Sequence, residues 1–258
     1  MIFFSDLDRT LIYSKNFIVD KDKLHCIEIL DGKEISYISK DTIKLLKKVL
    51  QNNRFIPTTT RSIEQFTRIK FNEYGINFEY SITTNGGVIL YNGNPLKEWS
   101  DIVKEKLKEC NSLENTMDLF NKKYGDLQGI LKVRSVDNMF FYLVVDLEKF
   151  DLEKLDPFRN ELEHFNWNFY TSGRKIYFIP KILTKENAIE FLLHYLGEKE
   201  FCAMGDSSMD LNMLKKSNRA FVPAKSAIES EMIKNTDFIS KNEGFKGTEE
   251  IIKELLKI

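Results

Sequence analysis

Two aspartates, Asp6 and Asp8, follow directly on the apolar run Met1-Ile2-Phe3-Phe4. That run reads as a buried strand over residues 2–5, and residues two apart at a strand end point to one side. Ionised carboxylates at the end of a core strand need a cation or hydrogen-bond donors to offset their desolvation. The pair therefore predicts a metal site, a nucleophile with an acid/base partner, or both. Three further groups share this placement. Thr59 ends a second short strand over 54–57. Lys185 opens a helix after Thr184. Gly205-Asp206-Ser207-Ser208-Met209-Asp210 follows a strand over 200–204. Each has a plainer reading alone: Thr59 as a helix cap, Lys185 as surface, Asp206 and Asp210 as turn and helix-start residues. A lysine in a first helical turn nevertheless opposes the helix dipole, and a bound anion at that end would repair the mismatch. Taken in this order at strand ends and helix starts, the four groups read as one site.

The elements that must position them alternate. After the first strand, residues 24–38 predict a β-hairpin turning at Asp31-Gly32. Ser39 caps a helix to about residue 51. A strand over 54–57 precedes a helix over 62–74 stopped by Gly75. A strand over 78–83 leads through Asn85-Gly86-Gly87 into a small hairpin at Asn92-Gly93. The middle changes rhythm: helix over 101–124 with a break near Asn111-Ser112, strands 130–136 and 139–146, helix 150–164, strands 166–171 and 174–179. This is an αββ-αββ pattern without a residue-level repeat. Strand–helix alternation then resumes: a helix from 184, the strand 200–204, a helix over 209–216, a strand ending at 222 and a last helix over 247–258. Such alternation predicts an α/β fold, a Rossmann-like parallel sheet covered on both faces, with ligands beyond the C-terminal strand ends. The domain boundaries expected are 1–97 with 180–258 for the core and 98–179 for an inserted α+β domain.

Bulk properties exclude several partners. The chain has 258 residues, 42% hydrophobic and 30% charged, with a net charge of −1. No basic field favours nucleic acid or an anionic membrane, and no apolar run reaches spanning length. Cys26, Cys110 and Cys202 have no metal-type spacing and read as reduced thiols. With no signal-type start, the expected location is cytoplasmic.

At this point the chain resembles the haloacid-dehalogenase-superfamily phosphatases along its whole length. The Asp6-Leu7-Asp8-Arg9-Thr10 stretch, strand-ending Thr59, Lys185 and Gly205-Asp206…Asp210 are similar to that family's four motifs. The insert resembles its C2-type cap, and αββ-αββ resembles subclass IIB. Ile82-Thr83-Thr84-Asn85-Gly86 and Lys185-Glu186-Asn187-Ala188 resemble local signatures of that subclass. The resemblance implies Asp6 as nucleophile, forming an aspartyl-phosphate, and Asp8 as general acid and then base. It implies Mg²⁺ held by Asp6, the Asp8 carbonyl and Asp206, with Asp210 ligating or orienting. Thr59 and Lys185 would bind phosphate oxygens, with Thr60, Arg61, Asn85, Gly86 and Asn187 also on the substrate. Three departures stand out: Arg9 where Gly is usual, Thr60 where Gly is usual before Arg61, and Met209 where Asn is frequent.

The reading is thus a Mg²⁺-dependent phosphatase of small phosphorylated metabolites, with sugar phosphates foremost. A phosphomutase, or a phosphate-ligand-binding protein with a little-used site, are the alternatives. Arg134, Arg174, Tyr142 and Tyr177 on the insert's strands are the specificity candidates. The 24–38 hairpin is expected to lean over the site mouth, or else to be a decorative edge.

Overall fold

The computed structural model describes residues 1–18, 20–228 and 236–258. The chain divides into two compact units, Met1–Leu96 with Lys185–Ile258, and Lys97–Thr184.

The first unit begins with β1 (Ile2–Ser5), buried at every position. A short β2 (Tyr13–Ser14) and the hairpin β3 (Leu24–Leu30) and β4 (Lys33–Ser39) form a three-stranded sheet in the order β2-β4-β3. Ser39 caps α1 (Lys40–Asn52) by accepting the Thr42 amide. Then come β5 (Arg54–Pro57) and α2 (Ile63–Thr67). The helix expected over 62–74 is interrupted. Thr67 Oγ1 bonds back to the Ile63 carbonyl, and the Lys70 amide donates to Ile27 O of the hairpin at 2.7 Å rather than continuing the helix. A 3₁₀ turn, Phe71–Tyr74, follows and ends at Gly75, whose φ of 69° is left-handed. β6 (Tyr80–Thr83), β7 (Val88–Tyr91) and β8 (Asn94–Pro95) complete this half as an antiparallel sheet.

The second unit comprises α3 (Lys97–Leu107), α4 (Leu113–Tyr124), β9 (Ile130–Val136), β10 (Phe140–Val145), α5 (Asp156–His164), β11 (Trp167–Ser172) and β12 (Lys175–Pro180). The helical stretch over 101–124 is two helices, the second capped by Ser112, which accepts the Asn115 amide. The strands form one antiparallel sheet, β11-β12-β10-β9. Strand periodicity sorts its faces. Phe141 and Phe178 pack against Phe120 of α4, and Phe178 also packs on Phe158 of α5. The register sets Arg134, Tyr142, Tyr177 and Tyr170 in a row on the other face.

The chain then returns through α6 (Lys185–Leu196), β13 (Cys202–Met204), α7 (Leu211–Lys216), β14 (Arg219–Val222), β15 (Thr236–Ile239) and α8 (Gly244–Leu255). β15 was not anticipated from sequence. The central sheet is parallel, in the order β15-β14-β13-β1-β5. Phe3, Leu7, Phe55, Cys202, Met204 and Phe221 join residues of α1 and α8 in its core. Among the described residues no helix is long and apolar enough to cross a membrane.

Candidate active site

The parallel register explains why the acidic groups meet. Ser5 lies beside Met204 on one side and Pro57 on the other. Whatever follows these three residues therefore emerges together at the C-terminal edge of the sheet. Asp6 follows β1, with its amide donating to Met204 O at 2.9 Å. Thr59 follows β5, its amide on Ile82 O at 2.8 Å. Asp206 follows β13 across Gly205. The close approach there requires a glycine: a Cβ at Gly205 would lie 2.6 Å from Asp210 Cβ.

Lys185, the first residue of α6, is 1% exposed, and its ammonium donates to Asp6 Oδ1 and Asp210 Oδ1, both at 2.6 Å. The cation that opposes its own helix dipole is thus offset by two carboxylates of the chain. Burial works against its charge, but Asp210 and Asp6 outweigh it and hold its pKa above the ordinary value. Asp210 Oδ2 accepts the Asp206 and Ser207 amides and the Ser207 hydroxyl. Both Asp210 oxygens are therefore engaged by the chain.

Carboxylate oxygens of Asp6, Asp206 and Asp210 all lie within 4.8 Å of one another. Burial, then crowding by the neighbouring carboxylates, pushes Asp206 up to about 8. Burial pushes Asp6 up to about 7 against the pull of Lys185, with Asp210 and Asp8 adding to the rise. One ammonium does not neutralise three clustered carboxylates, and a hard all-oxygen donor set of this kind fits a divalent cation.

Asp8 behaves differently from Asp6. Its side chain is 53% exposed, and Arg61 grips it as a fork, Nε to Oδ2 at 2.7 Å and Nη2 to Oδ1 at 2.8 Å. Arg61 Nη1 donates to Glu28 Oε2 at 2.9 Å. Every Arg61 guanidinium nitrogen thus donates to an acceptor of the chain. Burial lowers its pKa, but the Asp8 and Glu28 carboxylates raise it further and leave it above the ordinary value.

The remaining candidates divide. Thr59 is buried, and its Oγ1 accepts the Arg61 amide at 3.2 Å. Asn85, with φ 52°, is buried, and its amide donates to Thr59 O at 3.0 Å, which brings the Asn85-Gly86 turn to the end of β5. Thr60 is half-buried beside Thr59, and Asn187 is half-buried in the first turn of α6. Arg9 is exposed and has a φ of 63°, the left-handed region in which glycine is at no disadvantage. Its charge lowers the pKa of Asp206. On the second unit, Arg134 is exposed on β9, Tyr142 and Tyr177 pair at 5.4 Å between centroids, and Arg174 sits in the β11–β12 turn rather than on a strand. The sequence reading held Glu28 and Ser36 only as members of the 24–38 hairpin and gave Arg68 no role.

The model of the haloacid dehalogenase-like hydrolases matches residues 112–247. The chain belongs to that family, and the parallel core with an inserted αββ-αββ unit is the fold its motifs led us to expect. Among solved structures, a Synechocystis sp. PCC6803 sucrose-phosphatase, described in complex with sucrose and phosphate, is similar at 14% identity. It covers 98% of this chain and 97% of its own, with a TM-score of 0.71. A Thermoplasma acidophilum protein, 0175, is similar at 17% identity, covering 100% and 98%, with a TM-score of 0.68. A haloacid dehalogenase-like hydrolase from B. subtilis is 15% identical over 98% and 99%, with a TM-score of 0.62. No curated protein sequence matches the chain.

Proposed function

We propose that this hydrolase is a Mg²⁺-dependent phosphatase of small phosphomonoesters, with sugar phosphates as the substrate class. The observation that carries the reading is the Asp6 carboxylate at the end of the central strand, tied to Lys185 within a cluster of acidic groups. Such a carboxylate is a nucleophile facing an anionic ester, and the cluster is suited to the cation that makes the encounter tolerable.

An Asp6 oxygen attacks phosphorus, and the bond from phosphorus to the leaving oxygen breaks. Asp8 gives its proton to that oxygen, releasing the alcohol and leaving an aspartyl-phosphate. Water then attacks phosphorus, passes a proton to Asp8, and restores Asp6 with release of phosphate. Lys185 and Thr59 oppose the charge that builds on the non-bridging oxygens. Asp6, Asp206 and the Asp8 carbonyl would hold Mg²⁺, with Asp210 orienting Lys185 and the 205–207 loop, since both its oxygens are engaged. When bound, the cation neutralises charge between the carboxylates and the phosphate. The inserted unit is the specificity unit in this reading, and the row of Arg134, Tyr142 and Tyr177 is its candidate sugar- and anion-facing surface. The name of the similar Synechocystis sucrose-phosphatase supports the substrate class.

The test is phosphate release from a panel of sugar phosphates with and without Mg²⁺. Metal-dependent release is expected, and Asp6→Asn is expected to lower it by about 10⁴-fold or more. Undiminished turnover by Asp6→Asn would refute the mechanism. Conversion of a sugar monophosphate to its isomer only with a bisphosphate activator would indicate a mutase instead.

A further inference from the structure

Glu28 is an unusual residue for a hairpin strand: its side chain is 1% exposed. The register between β3 and β4 slips on both sides of it, with Cys26 opposite Tyr37 but Glu28 opposite Ser36. Ile27 is the extra residue on β3 and Ile35 the extra one on β4, and both Ile27 and Glu28 are buried, so strict alternation fails there. A bulge of this kind re-aims a side chain. Here it turns a carboxylate into the protein. Oε2 accepts Ser36 Oγ at 2.6 Å and Arg61 Nη1 at 2.9 Å, while Oε1 accepts Arg68 Nε and Nη2, both at 3.1 Å. The same Arg61 grips both oxygens of Asp8. Ser36 also accepts Arg61 Nη2 at 3.3 Å, and Lys70 N on Ile27 O fastens the bulge itself.

We propose that Glu28 is a positioning residue for the proton-transfer step: through Arg61 it fixes the direction of the Asp8 carboxylate. A charged group buried this deeply needs partners, and Arg68 alone would supply one cation. The second cation is the one that reaches the acid/base residue. With Nη1 anchored on Glu28, the guanidinium plane is set, and a planar fork transmits its orientation to the carboxylate that it holds. The 24–38 hairpin is then part of the catalytic framework through its bulge. Its exposed tip at Asp31-Gly32 makes none of these contacts. This inference rests on the phosphatase reading for its kinetic consequence, and on geometry alone for the grip.

The test compares native protein, Glu28→Gln and Glu34→Gln. Glu34 joins Lys21 and Tyr37 on the same hairpin without touching Arg61, so its variant controls for hairpin stability. Two quantities are read. The first is kcat/KM for an alkyl phosphate and for p-nitrophenyl phosphate, whose leaving group departs without a proton. Glu28→Gln is expected to lower the alkyl value about tenfold more than the aryl value, a part of the 10²–10⁴ that general acids contribute. The second is the Arg61 Nε–H resonance, assigned with Arg61→Lys. It is expected to exchange slowly in native protein and Glu34→Gln and to broaden in Glu28→Gln. An unchanged resonance, an equal loss on both esters, or a gain in rate would overturn the proposal. Native protein inactive on both esters would sink the phosphatase reading, and the resonance would still decide whether Glu28 holds Arg61 on Asp8.

Discussion

The acidic residues at this site differ in their cationic partners. Asp8 shares the Arg61 guanidinium with Glu28, whereas Asp6 and Asp210 share the Lys185 ammonium and Asp206 lies in the same acidic cluster. That cluster has a measurable pH signature. Asp6 and Asp206 are pushed from 3.8 to about 7 and about 8. A folded-state pKa above the unfolded value means that the native state binds protons more tightly than the unfolded chain. That contribution to stability is full below the unfolded pKa and is lost as pH rises through the folded values. The metal-free protein is therefore expected to melt at a lower temperature at about pH 8.5 than at about pH 5. A divalent cation held by the cluster would take the place of the bound protons, so the rise in Tm on adding Mg²⁺ is expected to be larger at the higher pH. Thermal melts with EDTA and with Mg²⁺ at the two pH values measure both. A larger Mg²⁺ effect at low pH would contradict the cluster's role.

At the scale of elements, the decisive joints are short. The turn from β13 into the 3₁₀ turn at Ser208–Asp210 has room for Asp210 only because residue 205 lacks a side chain. Gly205→Ala forces Asp210 and its loop apart, at about 1–3 kcal/mol of overpacking. Because Asp210 holds Lys185, activity is expected to fall more steeply than stability; urea unfolding beside kinetics measures the two, and unchanged values would show the loop to be pliable. The same joints mark where sequence was readable. The order of Asp6, Thr59, Lys185 and Asp206 could be read because each abuts an apolar run or a helix start. The 24–38 hairpin could be read because Asp31-Gly32 is a local signal. The inward turn of Glu28 could not, since it depends on how β3 registers against β4. Nor could the break after Thr67, where a hydrogen bond from Lys70 to a distant carbonyl overrides an unbroken helical pattern. β15 has only Thr-Asp-Phe-Ile to announce it, and its place is set by pairing with β14.

At the scale of the molecule, the second unit is continuous in sequence and the first is not. Lys97–Thr184 has its own apolar centre in Phe120, Phe140, Phe141, Phe158, Trp167 and Phe178, all buried. The fragment 97–184 is expected to fold alone, with a cooperative melt and a native-like near-ultraviolet spectrum. A non-cooperative melt would show that it depends on the rest of the chain.

The first unit has the opposite character, and the parallel sheet makes this a matter of timing. Phe3 pairs with Cys202, so the strand that leads into Asp6 leaves the ribosome long before its neighbour β13. Until then only β5 is available to it, and the other edge of Ile2–Ser5 is an unsatisfied apolar template. A nascent chain stalled after residue 184 holds a finished insert beside a half-built sheet, a state open to aggregation and to chaperones.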